Sequence, residues 1–479
     1  MSAARVSMGN ALDNARWGKW HLRYWWLGGL GIMLDGYDFF IIGAANPLVE
    51  DEFSASAWQL GLVSTAAILG AFIGAAFLGP LGDRLGRRRI FKWDLIMFVV
   101  FSIACMFAWD VYSLIVMRFL VGIAIGLDYP IAASFLAEIL PIKNRGRWLV
   151  SAFALQAVGM LLGALIGVLA LTLLPSDGSW RWMLGFGAIP ALLIVFLRRV
   201  IPESPRWLAQ NGAEAEAIAV ASQITGRDDI ELTAKDRRKP DQAPQGPRSL
   251  FQPALFRPDM IRRTIFTAVP WFLMDIAVYG VGIFTPTLLA AMHLAGSDAG
   301  YIAQDRAAVE GSALLDVFLV LGFIAAIFFI DRIGRVRLQL GGFVMMAVGL
   351  ALLAIVSALP GGGGAHIPLV FIAFAVFNFF MNAGPNATTY ALPAEIFPSH
   401  IRATGHGFAA GMAKLGAALG VFFFPILLDH VDEWMLLGGL ALICVVGFIV
   451  TLVFQIEPAG KSLDEMSGRK AGALQPVAG

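Results

Sequence analysis

Two stretches decide how this chain is read: AEILPIKNR at residues 137–145 and AEIFPSHIR at residues 394–402. The second begins 257 residues after the first, and the Ala-Glu-Ile, the proline and the arginine keep register. A second pair repeats in the same sense. Asp83-Arg84-Leu85-Gly86-Arg87 returns as Asp331-Arg332-Ile333-Gly334-Arg335. Each motif follows an apolar run, and the two members of each pair stand six runs apart. Duplicated halves of this kind characterise secondary transporters, in which the solute site lies near the midplane between the halves.

The composition agrees. Of 479 residues 58% are hydrophobic and 14% charged, against roughly 25% charged in a soluble domain. Mean hydropathy is +0.73. A span needs roughly 20 apolar residues, and residues 53–82 and 148–176 carry no charge at all. Twelve runs emerge, near 24–48, 57–81, 91–109, 111–138, 148–173, 182–200, 263–290, 310–330, 338–358, 367–393, 403–427 and 434–455. The expectation is an all-α polytopic membrane protein with twelve transmembrane helices in two pseudo-symmetric six-helix halves. The halves are residues 1–200 and 263–456, with a linker at 201–262 and a tail at 457–479.

Basic residues orient the chain. If both termini are cytoplasmic, only Arg181 and Arg306 of the 35 Lys and Arg fall in outside loops, which is the bias such proteins show. A plasma membrane is expected, or the inner membrane of a bacterium. No secretory signal peptide is read at the N-terminus. The linker, with AKDRRKPDQAPQGPR, has too few apolar positions to build much of a core; one short surface helix is expected near 213–225. Cys105 and Cys444 lie in apolar runs and indicate no disulfide framework. There is no Gly-rich nucleotide loop opening a helix, no metal-ligand cluster and no Ser/His/Asp set with supporting context. That points away from an enzyme, a cofactor, a metal or a nucleic-acid partner, and towards a monomer in the lipid bilayer driven by an ion gradient.

Charges inside spans are costly and therefore suggest function. Those singled out are Asp35, Asp38, Asp128, Asp275, Asp316, Arg118 and Lys414. Lys414, Asp35 and Asp275 each stand 12 residues beyond an arginine (Arg402, Arg23, Arg263), a depth of roughly 18 Å at the helical rise. Tyr129 and Asn386 each precede a glutamate, Glu138 and Glu395, by nine residues, about 14 Å. Trp271, Asp275 and Tyr279 are spaced i, i+4, i+8 and share a helix face. Lys414 suits an anion as a flexible point charge. It would otherwise form a structural ion pair with Asp275, and Asp128 would pair with Arg118 or cap a break at Pro130. Asp83, Arg84, Arg87, Glu138 and Arg145, mirrored by Asp331, Arg335, Glu395 and Arg402, read as gating ion pairs. Plain positive-inside topology is the alternative. His406, near the end of its span, reads as structural.

GPLGDRLGRRR at 79–89 resembles the loop signature of the major facilitator superfamily, and PESPRWL at 202–208 its sugar-porter-like branch. GLDYP (126–130), WFLMDIAVY (271–279) and the long stretch from GPNATTY at 384 to Ala417 together resemble the phosphate:proton symporters of fungi and plants. The resemblance implies a phosphate site of Tyr129, Gln156, Trp271, Asp275, Tyr279, Asn386 and Lys414. It implies a proton route through Asp35 and Asp38, with Asp128 nearby. Leu127 departs from the glycine usual before Asp-Tyr-Pro. Protonating Asp275 would remove its repulsion of phosphate, so proton and anion would bind together. Sugar porters carry paired glutamines where this chain has WFLMD, and a tryptophan beyond the span-ten motif that is missing here. A sugar or organic-anion symporter is the rival reading. A transporter-like nutrient receptor is a third, which a long soluble tail would favour; only 22 residues follow Glu457.

Overall fold

The computed structural model describes residues 5–173, 178–237, 253–282, 301–428 and 430–466. Residues 283–290 of the seventh run and the side chains of Arg306 and Asp316 lie outside the described set. Among the described residues nine helices are long and apolar enough to cross a membrane. Three further long helices, which carry charges near their ends, complete twelve. In chain order these are α1 (Lys19–Phe53), α2 (Ala57–Ile73), α3 (Arg87–Met106), α4 (Val111–Ile139), α5 (Leu155–Leu173), α6 (Ala188–Leu197), α7 (Ile261–Gly282), α8 (Tyr301–Ile333), α9 (Arg335–Ala358), α10 (Ile367–Ala383), α11 (Arg402–Leu428) and α12 (Glu433–Phe454). Short segments extend several of them: Arg145–Phe153 leads into α5, Ser179–Phe186 into α6, and Pro385–Ile396 continues α10.

The packing repeats with the sequence. α1 packs on α5 as α7 does on α11, and α2 on α4 as α8 does on α10. Close approach in the first set needs glycine. A Cβ on Gly159 would lie 1.8 Å from the Met33 carbonyl of α1, and one on Gly416 would lie 2.3 Å from the Phe272 carbonyl of α7. Small residues of this kind let membrane helices approach closely. The halves meet where α2 and α4 face α11 and where Arg145–Phe153 faces α8. Leu161, Leu165, Leu192, Phe196, Leu442 and Val453 point outward from the bundle, as lipid-facing positions should.

Both ends of the described chain lie at the end of the bundle that carries the repeated charged loops, here called the basic end. In the linker, Glu214–Thr225 is helical, where a surface helix was expected. The N-terminus is less free than its polar sequence suggests. β1 (Val6–Ser7) pairs in parallel with β2 (Ile230–Glu231), and the helix Met8–Asp13 buries Met8, Ala11 and Leu12.

Candidate functional site

Lys414 sits at the junction of the halves, with 5% of its surface exposed. Its Nζ donates to the Tyr279 hydroxyl at 3.2 Å. The rings of Phe39, Tyr129 and Tyr279 surround it at 4.9, 5.1 and 5.3 Å. The faces of aromatic rings attract a cation, so three rings from α1, α4 and α7 hold the ammonium where the halves converge. Gln156 Nε2 donates to the Tyr129 hydroxyl at 2.5 Å. Asp275 is buried one turn from Tyr279, and Lys414 acts on its carboxyl electrostatically. No ion pair among the described residues contains Lys414. The expected alternative of a direct Asp275–Lys414 pair is therefore not what forms; the ammonium's hydrogen-bond partner is a phenol.

Towards the basic end an aromatic layer lies beneath Lys414. Tyr390 stacks on Phe153 across the halves at 4.4 Å and meets Tyr129 and Trp271 edge-on at 6.4 and 6.5 Å. Phe153 also meets Phe323 of α8. His406 Nε2 bonds the Tyr390 carbonyl at 3.1 Å and its ring packs on Trp271. Asn386 is tied to Asn382 within α10 and its continuation. Six of the seven implied anion-site residues thus converge around Lys414 or the layer below it; Asn386 is placed through Tyr390, one turn along its helix.

The acids nearest the N-terminus are paired differently from expectation. Arg118 takes Asp38 at 2.6 Å, not Asp128. Asp128 is held by Arg198 at 2.7 Å, and Arg198 also reaches Asp94 at 3.5 Å. Arg198 further donates to the carbonyls of Leu27 and Gly28 on α1 and lies 4.4 Å over the Phe91 ring. Asp94 and Arg198 belong among the buried charges, and their place in runs three and six was the signal available. Asp35 keeps one buried carboxyl oxygen without a hydrogen-bond partner among the described residues. It shares with Asp94 and Asp128 a cavity of about 10 Å³, the size of one water molecule.

Below the aromatic layer a second barrier closes the basic end. Glu138 accepts from Arg87 at 3.0 Å, from Arg402 of the other half at 2.8 Å, and from the Ser204 hydroxyl. Asp83 takes Arg87 at 3.0 Å and, across the halves, the amides of Ala403 and Thr404 at 3.3 and 2.8 Å. Arg87 donates to the Ser399 carbonyl at 3.0 Å, and the Arg147 amide donates to Asp331 at 2.9 Å. Arg335 pairs with Glu395 and Asp331, each at 2.8 Å. Arg84 is exposed, outside this buried set. The symmetry breaks at Arg145, the counterpart of Arg402. It does not cross to the other half but takes Asp13 of the N-terminal helix at 2.6 Å, and Arg206 of the PESPRWL motif shares that carboxylate at 3.3 Å.

The motif glycines explain themselves here. Gly86 and Gly334 have φ of +91° and +97°, a conformation glycine adopts readily. At Gly86 the Glu203 carboxylate accepts the Arg87 and Arg88 amides at 2.8 and 3.2 Å. At Gly334 the Glu457 carboxylate takes those of Arg335 and Val336 at 3.2 and 2.9 Å. Each glutamate caps the start of a spanning helix, a favourable place for negative charge. Burial pushes the Glu203 carboxyl above its ordinary range, opposed by the Ser204 amide and by Arg87.

Two six-helix halves of matching topology, with charged loops at one end and a polar site between them, define a membrane transporter of the major facilitator superfamily. The chain belongs to the sugar (and other) transporter family, whose profile matches residues 28–468. A protein of Escherichia coli K12 named for metabolite transport, YaaU, is 32% identical over 95% of this chain and 96% of its own length. An Arabidopsis thaliana protein named as inorganic phosphate transporter 1-6 is 32% identical over 96% of this chain and 95% of its own. Among solved structures, the proton:xylose symporter XylE of E. coli, bound to 6-bromo-6-deoxy-D-glucose, superposes with a TM-score of 0.76 at 20% identity, covering 94% of this chain and 98% of that one. At that identity the likeness is one of fold.

Proposed function

We propose that this transporter carries inorganic phosphate into the cell with protons, by alternating access. The observation that carries the reading is the Lys414 ammonium, buried between the halves with a phenol as its direct partner. The buried guanidiniums of Arg118 and Arg198, by contrast, are already neutralised by carboxylates. A desolvated cation without a direct carboxylate favours an anion. Tyr279 accepts from Lys414 and keeps its own proton to donate; Trp271, Gln156 and Asn386 supply further polar groups. The proteins named as phosphate transporters among the relatives point the same way.

Asp275 supplies the coupling in this reading. Its ionised carboxylate would repel an incoming phosphate. Protonated, it donates a hydrogen bond, so anion and proton enter together. Asp35, with its unpartnered oxygen, and the Asp128–Arg198 and Asp38–Arg118 pairs form the proton route. The basic end faces the cytoplasm, in line with its Lys and Arg. There the Glu138, Asp83 and Asp331 contacts hold the site closed, and rocking of the halves breaks them.

The test is radiolabelled phosphate uptake into proteoliposomes under an inward proton gradient, with and without a protonophore. Uptake that collapses with the protonophore, and that Asp275→Asn uncouples from the gradient, is expected. Accumulation of a sugar or carboxylate in place of phosphate would overturn the substrate. Undiminished gradient-driven uptake by Asp275→Asn would remove that residue from coupling.

A further inference from the structure

Asn382 is fully buried on α10, facing α8, behind the site residue Asn386. Its Nδ2 donates to the Leu319 carbonyl at 3.1 Å, and its Oδ1 accepts from Asn386 Nδ2 at 2.5 Å. The order of these bonds is set by chemistry. A backbone carbonyl only accepts, so the amide nitrogen of Asn382 must be the end that faces Leu319. The oxygen of Asn382 therefore faces Asn386, and the nitrogen of Asn386 must face Asn382. One backbone carbonyl thus fixes the orientation of both amides.

Local packing supports this chain of bonds. A Cβ on Gly322 would lie 2.3 Å from the Phe379 carbonyl and 3.0 Å from the Asn382 side chain. Only the bare glycine lets α10 come near enough for Asn382 to reach the second lone pair of the Leu319 carbonyl. Asn386 is half-buried, and Tyr390, four residues on and on the same helix face, meets Tyr129 and Trp271. The bond to Asn382 takes one N–H of Asn386 and fixes the orientation of its amide, so that the carbonyl oxygen is the end turned away from Asn382.

We infer that Asn382 is a positioning residue that makes Asn386 a hydrogen-bond acceptor and so selects oxyanions that carry a proton. This rests on the phosphate reading and names the class of anion admitted. Phosphate at physiological pH bears at least one P–OH, which can donate to the Asn386 oxygen. Sulfate bears none, so one of its oxygens would face another lone pair. A buried polar group left without a partner discriminates strongly between near-isosteric ligands.

The test is competition in proteoliposomes loaded with the full chain. Radiolabelled phosphate uptake is measured against unlabelled arsenate, which is protonated like phosphate, and against sulfate. In the wild type arsenate should compete and sulfate should not. In Asn382→Leu, of similar size but without either hydrogen bond, the Asn386 amide is free to turn its nitrogen inward. Sulfate should then compete, with discrimination falling on the order of tenfold or more. That change should fall on KM rather than kcat. Asn382→Asp in its neutral form keeps an O–H for the Leu319 carbonyl and an oxygen to accept from Asn386, and should retain the wild-type selectivity, which a purely structural role would not predict. Sulfate that competes as well as arsenate in the wild type overturns the inference, and this arm holds even if Asn382→Leu does not fold. So does a transporting Asn382→Leu with unchanged selectivity. If the wild type takes up no phosphate, the underlying reading fails instead, a result distinct from either.

Discussion

Glu138→Ala should unlatch the basic end, and the structure sets the size of the effect. Glu138 is 1% exposed and accepts from Arg87, Arg402 and Ser204. After the substitution Arg87 keeps Asp83 at 3.0 Å and the Gly82 carbonyl at 3.1 Å. Arg402 keeps the Ser399 hydroxyl at 3.0 Å, while its Nε and Nη2 are already buried without partners among the described residues. Removing one partner of a buried pair costs about 3–5 kcal/mol. Because Arg402 belongs to the opposite half, water can solvate it once the halves separate, so the cost falls on the closed arrangement. At 1.36 kcal/mol per decade, the lower bound shifts the closed-to-open ratio by about two orders of magnitude. Spin labels at the exposed positions Arg88 and Arg332 would report the inter-half distance by double electron–electron resonance. The longer-distance population should grow in Glu138→Ala. Glu395→Ala, which breaks the Arg335 pair inside one half, should lower stability with a smaller change in distance. An unchanged distribution for Glu138→Ala, or equal shifts for both variants, would refute the assignment of Glu138 to the gate.

Other outcomes follow from the same geometry. Lys414→Arg should lose phosphate uptake by tenfold or more, because three rings about 5 Å from Nζ fit a compact ammonium and not a planar fork; uptake near the wild-type rate would contradict the cage. Asp13→Ala strips the shared carboxylate from Arg145 and Arg206 and should lower the thermal unfolding temperature in detergent; an unchanged temperature would show that the N-terminal helix contributes nothing there. Gly159→Val should prevent α1 from seating on α5 and reduce folded yield in size-exclusion chromatography, at a cost of about 1–3 kcal/mol or more. Gly438→Ala, with nothing within 4 Å of the added carbon, should leave the elution profile unchanged.

The repeated AEI…P…R and DRxGR motifs carried the duplication because symmetry of a fold survives as register in the chain. Depth was legible too: twelve residues beyond a terminal arginine placed Lys414 and Asp275 at one level, and both are buried within electrostatic reach. Rotation about the helix axis was not legible. Each residue turns a helix by about 100°, so a span's sequence does not say which neighbour a given acid meets. That is why Asp128 found Arg198, 70 residues away, and Arg118 went to Asp38. Asp13 and Glu457 were hidden for another reason. Each lies outside the apolar runs, Asp13 buried and Glu457 half-buried, and meets its partners only once the linker and tail pack on the basic end. Asn382 was silent because an asparagine facing a backbone carbonyl leaves no spacing pattern.

In the proposed function Lys414 is the anion-binding cation between the halves. Equilibrium binding of radiolabelled phosphate to purified protein, wild type beside Lys414→Gln, tests it without any gradient. Saturable binding by the wild type that is lost in a folded Lys414→Gln is the predicted result. Equal phosphate binding by the two proteins would contradict it.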